Sequence, residues 1–355
     1  MAESNATIYD IAQKAGVSVM TVSRALNGTG YVAEKTRAKV QAAAQELGYS
    51  PNLSAKVLNG SRTKVLGLLV SDIQAQAMTA IIGAIGRAAK EAGQDLLVYT
   101  TAQVGGEQPT APDVMRVLGG ICDGILMVMP GTSEQTLADM ERGSLPVVLV
   151  NYWRTDTALP VVRGDNYQGS RAAVSQLAAL GHRRIAFISG SPHSGQSQER
   201  QRGYRDALAA AGLAFDPSLL IEGDFAQSTG FAATRALLAR PQRPTAIFAA
   251  NDEMAFGAMD AIKAHGLRIP EDISVVGFDD IPSASHAHPR LTTVRQPLDA
   301  IGEAAVKLLL QRAAGDRQGA SRIEFPSSLV LRDSTGPAPA AADHPTSALA
   351  EPGQG

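Results

Sequence analysis

Polar side chains follow several apolar, β-rich runs of the sequence and are candidates for ligand contacts. Asn251 comes directly after TAIFAA, Asp279 follows SVVGF, and Arg200 lies in a helical pattern soon after RIAFISG. In open sheets of parallel strands, ligands bind just outside the carboxyl ends of the strands. A guanidinium fork, an amide and a carboxylate offer paired donors and acceptors, which suit the vicinal hydroxyl groups of a ligand. We therefore expect these three side chains to converge on one cleft.

The sequence lacks the common motifs for catalysis and metal binding. It contains no GxxxxGK[ST] phosphate loop, no HExxH, no CxxC and no GxSxG nucleophile elbow. His286 and His288 form only an isolated HxH pair, and the carboxylates of Asp279 and Asp280 are adjacent in sequence and so point in different directions. We expect a protein that is not an enzyme and that holds no metal or cofactor.

Composition indicates a globular protein whose charge is unevenly distributed. The chain has 355 residues, of which 45% are hydrophobic and 19% charged, and is long enough for more than one folding unit. The net charge is −2, which argues against a nucleic-acid-binding protein, but residues 1–63 carry seven lysine and arginine residues against four acidic ones. This N-terminal segment is therefore basic, although only modestly so.

The cysteine content and the N-terminus predict the compartment. Cys122 is the single cysteine, so it forms no intramolecular disulfide, which favours a reducing environment. The N-terminal run MAESNATIYDIAQKAG lacks a basic segment followed by an apolar one, and no apolar window of about 18 residues follows. We expect a cytoplasmic protein without a membrane partner.

The first 48 residues predict three short helices separated by turn residues. Thr7 is placed to cap a first helix that Gly16 ends, and Ser18 is placed to cap a second. A third helix is expected at about residues 33–47. Two helices joined by a tight glycine turn are typical of a helix-turn-helix, whose second helix fits the major groove of DNA. The alternative is a three-helix domain with another purpose.

The rest of the chain alternates short β-rich runs with helical patterns. This alternation predicts parallel sheets covered by helices on both faces, and nine or ten strands are too many for one ordinary sheet, so we expect two lobes. The tail is rich in Pro, Ala and Gly and is expected to be disordered. The expected organisation is a head (1–49), a linker with a short helix (50–63), a two-lobed core (64–334) and a disordered tail (335–355).

Three N-terminal runs carry a family resemblance. They read TIYDIAQKAGVSVMTVSRALNG, VAEKTRAKVQAAAQELGYSPN and AKVLNG. These runs resemble the head and hinge of the LacI/GalR family of bacterial transcription regulators, and the resemblance covers about residues 6–332. It implies an all-α helix-turn-helix head, a hinge helix, and a two-lobed α/β core of the periplasmic-binding-protein type with parallel sheets. Ala33 departs from the pattern, since relatives commonly carry a Ser or Thr cap there.

By this resemblance, the second helix reads operator DNA through Val19, Met20 and Arg24. Arg24 can pair bidentately with guanine, and the two apolar side chains can contact a thymine methyl group or a base edge. The hinge helix is expected to wedge Leu58 between base pairs in the minor groove. Further expected DNA contacts, which position the head rather than read bases, are Tyr9, Ser18, Thr21, Ser23, Asn27 and Asn52.

By the same resemblance, the core cleft binds a small sugar-like effector. Arg200 lies in RQRGY, which matches the family's RxxGY motif whose Arg grips the effector. Aromatic rings can stack on an apolar ligand face, and amides and carboxylates can bind its polar groups. SDIQAQAMTA stands where relatives are often aromatic-rich, so it is expected to shape the pocket differently. The other candidate effector contacts are Ile73, Met78, Asn151, Trp153, Asp165, Phe225, Asn251 and Asp279.

Together these inferences predict a repressor of carbohydrate-utilisation genes that binds a palindromic operator as a homodimer. A dimer is favoured over a tetramer because the tail contains only Leu349 and several prolines, and so lacks a leucine heptad. One alternative keeps the head but has the core respond to a sugar phosphate, a nucleoside or a protein corepressor. A second alternative, a solute-binding protein for transport, leaves residues 6–60 unexplained.

Overall fold

A computed structural model describes most of the chain. The described residues are 6–28, 30–49, 62–70, 73, 75–100, 114, 117–128, 133–154, 157–316 and 322–339. Internal contacts divide the chain into two units, Met1–Thr63 and Lys64–Gly355. The expected hinge helix, with Asn52 and Leu58, lies outside the described residues.

The N-terminal unit contains three helices, α1 (Ile8–Ala15), α2 (Val19–Asn27) and α3 (Glu34–Glu46). The Thr7 side chain accepts a hydrogen bond from the Asp10 amide, and the Asp10 carboxylate accepts one from the Thr7 amide, so α1 begins with a complete capping box. Gly16 ends α1 in the left-handed conformation, with φ 66°. The predicted helix-turn-helix is confirmed.

The core of this unit joins all three helices. Ile11, Val22 and Val40 contribute one fully buried side chain from each helix. Helix α3 follows Ala33, whose backbone angles of φ −55° and ψ 139° are close to those of the Ser18 cap but whose side chain accepts no hydrogen bond. The absence of a side-chain cap, expected from the sequence, is therefore observed.

Twelve strands form two six-stranded sheets in the described part of the C-terminal unit. The sheet order is β11-β5-β4-β3-β1-β2 in lobe 1 and β12-β10-β9-β8-β6-β7 in lobe 2. Strand pairs are parallel except β10 with β12. The strands are β1 (Val65–Val70), β2 (Asp95–Thr100), β3 (Gly124–Val128), β4 (Val147–Val150), β5 (Val161–Gly164), β6 (Ile185–Ile188), β7 (Leu220–Ile221), β8 (Ala246–Ala249), β9 (Ser274–Asp279), β10 (Thr292–Arg295), β11 (Arg322–Phe325) and β12 (Ser328–Val330).

Helices cover these sheets, as expected for parallel strands. Cys122 is buried in lobe 1, where burial, helped by the Asp123 charge, raises the pKa of its thiol to about 11. None of the described helices combines the length and apolar character needed to cross a membrane. The helices are α4 (Gln76–Glu91), α5 (Glu134–Arg142), α6 (Asn166–Ala179), α7 (Gly195–Ala210), α8 (Gln227–Leu238), α9 (Asp252–Ala264) and α10 (Leu298–Ala313), with two 3-10 helices at Pro217–Leu219 and Pro282–Ser285.

The chain crosses between the lobes three times. It passes from β5 to α6, from β10 to α10, and from β11 to β12. The crossings pack tightly, because a Cβ added at Gly164 would lie 2.9 Å from the Gln296 side chain and one at Gly169 would lie 3.1 Å from Ser327. The expected two-lobed α/β core is therefore confirmed, and the carboxyl ends of β4, β8 and β9 lead into the cleft between its lobes.

The structure has more strands than the nine or ten expected from the sequence. Strands β5, β10, β11 and β12 lie beside the crossings and are only three or four residues long. Unlike the similarly short β4, β6 and β8, which are wholly apolar, these four strands contain charged, hydroxyl-bearing or glycine residues, so no apolar run marks them in the sequence. The twelve strands remain consistent with the two-lobed interpretation.

The core extends beyond the expected boundary at residue 334. The backbone amide of Gly336 donates to Ser274 Oγ at 3.0 Å, and that of Ala338 donates to the Leu180 carbonyl at 2.8 Å. The ring of His182, fully buried, lies 3.1 Å from the Gly336 carbonyl. Residues 335–339 are therefore ordered against lobe 2, and the prediction of disorder from Thr335 onward was wrong for them because composition does not report these contacts. Residues 340–355 lie outside the described part.

Candidate functional site

Helix α2 turns one face toward the core of the head and leaves the other exposed. Val22 and Ala25 are buried, whereas Met20 is 63% exposed and Arg24 is also exposed. Val19 is half-buried and packs against the core of the head. Among the three residues expected to read bases, Met20 and Arg24 therefore present their side chains to solvent, and Val19 does so only in part.

Some of the residues expected to position the head make hydrogen bonds within it, whereas Tyr9 is mainly exposed to solvent. Ser18 Oγ accepts from the Thr21 amide at 3.1 Å, so Ser18 also serves as the cap of α2. Asn27 donates to Ser23 Oγ at 3.3 Å. Tyr9 is 70% exposed. Tyr9 therefore keeps most of its side chain in solvent, whereas Ser18 and Asn27 make hydrogen bonds within the head.

Tyr31 is an exposed residue that the sequence interpretation overlooked. Its side chain is 92% exposed and follows Gly30, against which the Arg24 side chain lies. An aromatic residue in a glycine-rich turn, with no apolar periodicity around it, is the signal that could have identified it. Tyr31 is therefore an added candidate for the nucleic-acid-facing surface.

A cavity of about 380 Å³ lies between the two lobes. Its walls combine apolar, aromatic and charged side chains, which is usual for a small-molecule site. The lining residues are Ala75, Ala77, Met78, Ile81, Asn151, Tyr152, Trp153 and Leu298 from lobe 1, Ser191, His193, Ser194, Gly195, Gln196, Arg200, Asp224, Phe225, Asn251 and Asp279 from lobe 2, and Gln296 at a crossing.

Arg200 is the charged centre of this cavity and is only 2% exposed. Its Nε donates to Asn166 Oδ1 at 2.9 Å, its Nη2 donates to Asp279 Oδ1 at 3.1 Å, and its Nη1 donates to the Ala250 carbonyl. The guanidinium also stacks on the Phe278 ring, 3.7 Å from the ring centroid. Burial lowers the pKa of Arg200, while the Asp279 charge opposes that shift. The guanidinium is therefore held in one orientation from several sides.

Two buried carboxylates lie close to Arg200. Gln296 Nε2 donates to Asp279 Oδ1 at 2.7 Å, and burial raises the pKa of Asp279 although Arg200 opposes it. Asp252 lies deeper, where it accepts from the Ile281 amide at 2.9 Å and from Thr293 Oγ1. Burial, and next the Asp279 charge, raise the pKa of Asp252 well above its ordinary value. Asp279 thus lines the cavity, whereas Asp252 does not line it and instead binds Ile281 and Thr293 within lobe 2.

Aromatic rings reach the cavity only because glycines make room for them. A Cβ on Gly195 would lie 1.5 Å from the Trp153 ring, and one on Gly190 would lie 2.0 Å from the Phe225 ring. Asn251 caps α9 through a bond from the Met254 amide and donates to the Phe225 carbonyl at 2.9 Å. Asn251 therefore positions the Phe225 segment as well as lining the cavity.

Unusual backbone conformations are concentrated at the cleft. Asn151, Phe225 and Asp279 have φ values of 56°, 73° and 109°, a region that residues other than glycine rarely occupy. Such strain is characteristic of ligand sites, where the surrounding structure holds a side chain in place. The three residues all line the cavity.

Two expected effector contacts lie elsewhere. Ile73 is 52% exposed and does not line the cavity; its carbonyl is held by Thr79 Oγ1 at 3.2 Å. Asp165 caps α6 by accepting from the Gln168 amide at 2.8 Å. Neither residue lines the cavity, and their contact with an effector stays a prediction. The expected residues that line the cavity are Met78, Asn151, Trp153, Arg200, Phe225, Asn251 and Asp279.

Several polar lining residues were missed in the sequence. Ser191, His193 and Ser194 follow β6, and their position after an apolar run was the available signal. Gln296 lies at a crossing that no local pattern marks. Asp224 precedes Phe225, and proximity to an already chosen residue could have identified it.

Comparisons with known proteins match both units. Residues 7–52 match the profile of bacterial regulatory proteins of the lacI family, and residues 174–335 match the periplasmic binding protein-like domain. The ribose operon repressor of Haemophilus influenzae is 33% identical over 330 residues, covering 93% of this chain and 98% of that protein. The HTH-type transcriptional repressor PurR of Erwinia tasmaniensis is 36% identical over 344 residues, with 94% and 98% coverage.

Solved structures of transcriptional regulators also match this chain over most of its length. The lac repressor dimer bound to operator and the anti-inducer ONPF has a TM-score of 0.83 and 33% identity, covering 94% of this chain and 99% of that one. The complex of the transcriptional regulator CelR with cellobiose has a TM-score of 0.69 and 33% identity, with 93% and 100% coverage. With its helix-turn-helix and its two-lobed core, the chain belongs to the lacI family of bacterial regulatory proteins.

Proposed function

We propose that this protein is a cytoplasmic transcriptional repressor that binds a palindromic operator as a homodimer. Met20 and Arg24 are both exposed and lie four residues apart on α2, so they share one helix face. This supports base reading, since such a helix presents its exposed face to base edges in the major groove. The relatives named above are repressors or regulators, and the lac repressor structure contains a dimer on its operator. One head reads only a half-site, so a palindrome requires two copies.

The observation that carries the proposed regulation is the set of contacts around Arg200 in the cleft. A buried guanidinium bonded to Asp279, beside Gln296 and two aromatic rings, offers directional polar groups next to apolar faces. Hydroxyl groups on an otherwise apolar ring match this arrangement. The proposed effector is therefore a small sugar-like molecule, and the proposed regulated genes serve carbohydrate utilisation.

The charges of the cavity favour an uncharged sugar over a sugar phosphate. Among its described lining residues, Arg200 is the only lysine or arginine, whereas Asp224 and Asp279 are both carboxylates. All three nitrogens of the Arg200 side chain already donate to protein acceptors. A phosphate entering this cavity would face unbalanced negative charge, whose cost is large away from water.

A nucleoside is the second candidate effector. The rings of Trp153 and Phe225 both line the cavity and would accept a stacked base as well as a sugar face. If the base is the group recognised, the free base without its sugar hydroxyl groups should still bind the cavity. If the sugar is the group recognised, the free base should not bind.

Effector binding is proposed to act as an inducer that lowers operator affinity. A ligand changes DNA affinity only when it binds two arrangements of the core unequally. Coupling of this kind is typically about 1–3 kcal/mol, or roughly 5- to 150-fold in affinity. A core that binds the sugar without changing DNA affinity by a measurable factor would contradict induction.

The DNA proposal is tested by selecting from random duplexes with the full chain. We expect enrichment of one palindrome, and we expect Arg24→Ala to lower affinity for it by about 1–3 kcal/mol and to relax the preference at one base pair per half-site. Lys90→Ala, at an exposed residue of α4 in the core, is the control. Failure to enrich any sequence would overturn the proposal.

The effector proposal is tested by a ligand panel read through the fluorescence of Trp153, the single tryptophan of the chain. The panel pairs each neutral sugar with its phosphate and includes nucleosides, and Trp153→Phe controls for signals unrelated to the cleft. Binding of a neutral sugar should change this fluorescence. At 100 times its dissociation constant the sugar should also raise the free energy of unfolding by about 2.7 kcal/mol, which unfolding followed by the same fluorescence measures. Tighter binding of the phosphate than of its parent sugar would overturn the assignment of an uncharged effector.

A further inference from the structure

Helix α4 of lobe 1 begins without a cap from its own segment. The preceding residue is Ala75, which provides no side-chain hydrogen bond, and the first turn contains no acidic residue. The first amides of any helix lack partners within the helix, and the helix dipole makes this end electropositive. The start of α4 therefore favours an acceptor from elsewhere.

Lobe 2 supplies that acceptor. Glu253 Oε1, on α9, accepts from the backbone amide of Gln76 at 3.0 Å, across 177 residues of sequence. Ser283 Oγ, from the 3-10 helix of the same lobe, donates to Gln76 Oε1 at 3.1 Å. We call these three residues, Gln76, Glu253 and Ser283, the interlobe latch.

The latch lies at the edge of the effector cavity. On lobe 1, Ala75 and Ala77 flank Gln76 and both line the cavity. On lobe 2, Glu253 follows the cavity residue Asn251 within the first turn of α9. None of the latch residues is on a covalent crossing between lobes, so separation of the lobes at this edge must break both hydrogen bonds.

We propose that Glu253 is a positioning residue that holds the effector cleft closed by capping the helix of the opposite lobe. The carboxylate gains its helix-end partner only when the lobes meet, so the latch raises the closed fraction of the protein. A ligand that contacts both lobes then binds more tightly in proportion to that fraction. The effect on closure is independent of the effector, whereas the effect on effector affinity rests on the function proposed above.

Trp153 is a built-in reporter of closure. It belongs to lobe 1, it is the single tryptophan of the chain, and its ring lies over Gly195 of lobe 2. Separation of the lobes would remove this cover and admit a small quencher such as acrylamide. The quenching constant of the unmodified full chain therefore measures opening without any added effector.

The experiment compares variants on both sides of the latch. Glu253→Ala removes the acceptor, and Glu253→Gln keeps an acceptor oxygen without the charge. Gln76→Pro removes the donor at the first position of the helix, where proline is well tolerated. Ala75 already has the extended conformation that a following proline requires. Glu303→Ala, at an exposed glutamate of α10, is the matched control.

Loss of a helix cap corresponds to roughly two- to thirtyfold in an equilibrium constant. We therefore expect Glu253→Ala and Gln76→Pro each to lower the closed-to-open ratio by up to that factor, with a higher acrylamide quenching constant. Gln76→Pro removes both latch hydrogen bonds, including the one that Glu253→Ala removes. The double variant should therefore open no further than Gln76→Pro alone. Glu253→Gln should be intermediate, and Glu303→Ala should match the wild type.

Two results would overturn the latch. One is unchanged quenching in both single variants, provided circular dichroism shows that they are folded. The other is additive opening in the double variant, which would mean that the two residues act separately. If the quenching changes as expected but no panel sugar binds any variant, the latch stands and the proposed effector class fails.

Discussion

At the scale of the residue, Arg200 combines ligand recognition with structural support. It was expected in the cleft from the RxxGY motif, and it lies there, but each guanidinium nitrogen already bonds to the protein. Its removal would therefore disturb the fold as well as effector binding. A loss of effector response in an Arg200 variant would not by itself identify a ligand contact.

We predict that Arg200→Met destabilises the core by about 3–5 kcal/mol, because Asp279 would remain buried without its ionic partner. Adding Asp279→Asn should recover part of this loss, since the uncompensated charge is then removed. Urea unfolding of the full chain, followed by far-UV circular dichroism, measures both effects. A cost below about 1 kcal/mol for the single variant would contradict the assigned role of the pair.

At the scale of the element, some helices are capped by a residue next to them in sequence and others by a residue from a distant segment. Thr7 and Ser18 cap α1 and α2 within four residues of sequence, as their types and positions predict. Helix α3 has no side-chain cap, and α4 takes its cap from Glu253 in the other lobe. A missing cap in the sequence thus has two different structural outcomes, which only the packing distinguishes.

We predict that Ala33→Ser stabilises α3 by about 0.5–2 kcal/mol, because Ala33 already has the backbone geometry of a cap residue. Slower hydrogen exchange of the amides in the first turn of α3, measured by mass spectrometry on the full chain, would show this gain. The matched control is Ala42→Ser, an exposed position inside the same helix, where serine should weaken the helix slightly. Equal exchange in the wild type and Ala33→Ser would refute the prediction.

At the scale of the whole molecule, residues 335–339 of the C-terminal segment pack against lobe 2, where they contact the buried side chain of His182. The His182 ring lies 3.0 Å from Thr245 Oγ1 and 3.1 Å from both Ser274 Oγ and the Gly336 carbonyl. Burial lowers the pKa of His182 from its ordinary value of 6.5, although the Gly336 carbonyl opposes this shift. The folded chain therefore favours the neutral ring more strongly than the unfolded chain does.

This difference predicts a loss of stability on mild acidification. The contribution of His182 is fully present above pH 6.5 and is lost as the pH falls below that value through the lowered folded pKa, because the unfolded chain binds the proton first. The melting temperature should therefore fall between about pH 7.5 and pH 5.5. His182→Gln should show a smaller fall, and His286→Gln, at an exposed histidine, is the control. An identical fall in all three proteins would exclude His182 as the cause.

The sequence by itself determined the features that depend on neighbouring residues. The three helices of the head, the turn at Gly16 and the alternation of strands and helices follow from side-chain periodicity and local hydrogen bonds. The family runs and RxxGY identified the head and Arg200. Most of the expected cleft residues follow strand ends, because parallel strands direct their carboxyl ends toward one edge.

Only the tertiary structure decided the features built from distant segments. It placed Ile73 and Asp165 away from the cavity, brought Gln296 to Asp279, and joined Glu253 to Gln76 across the cleft. The chain crosses between lobes three times, so residues more than a hundred positions apart become neighbours. Local sequence patterns do not predict these contacts, because the contacts form only when both lobes are folded and packed.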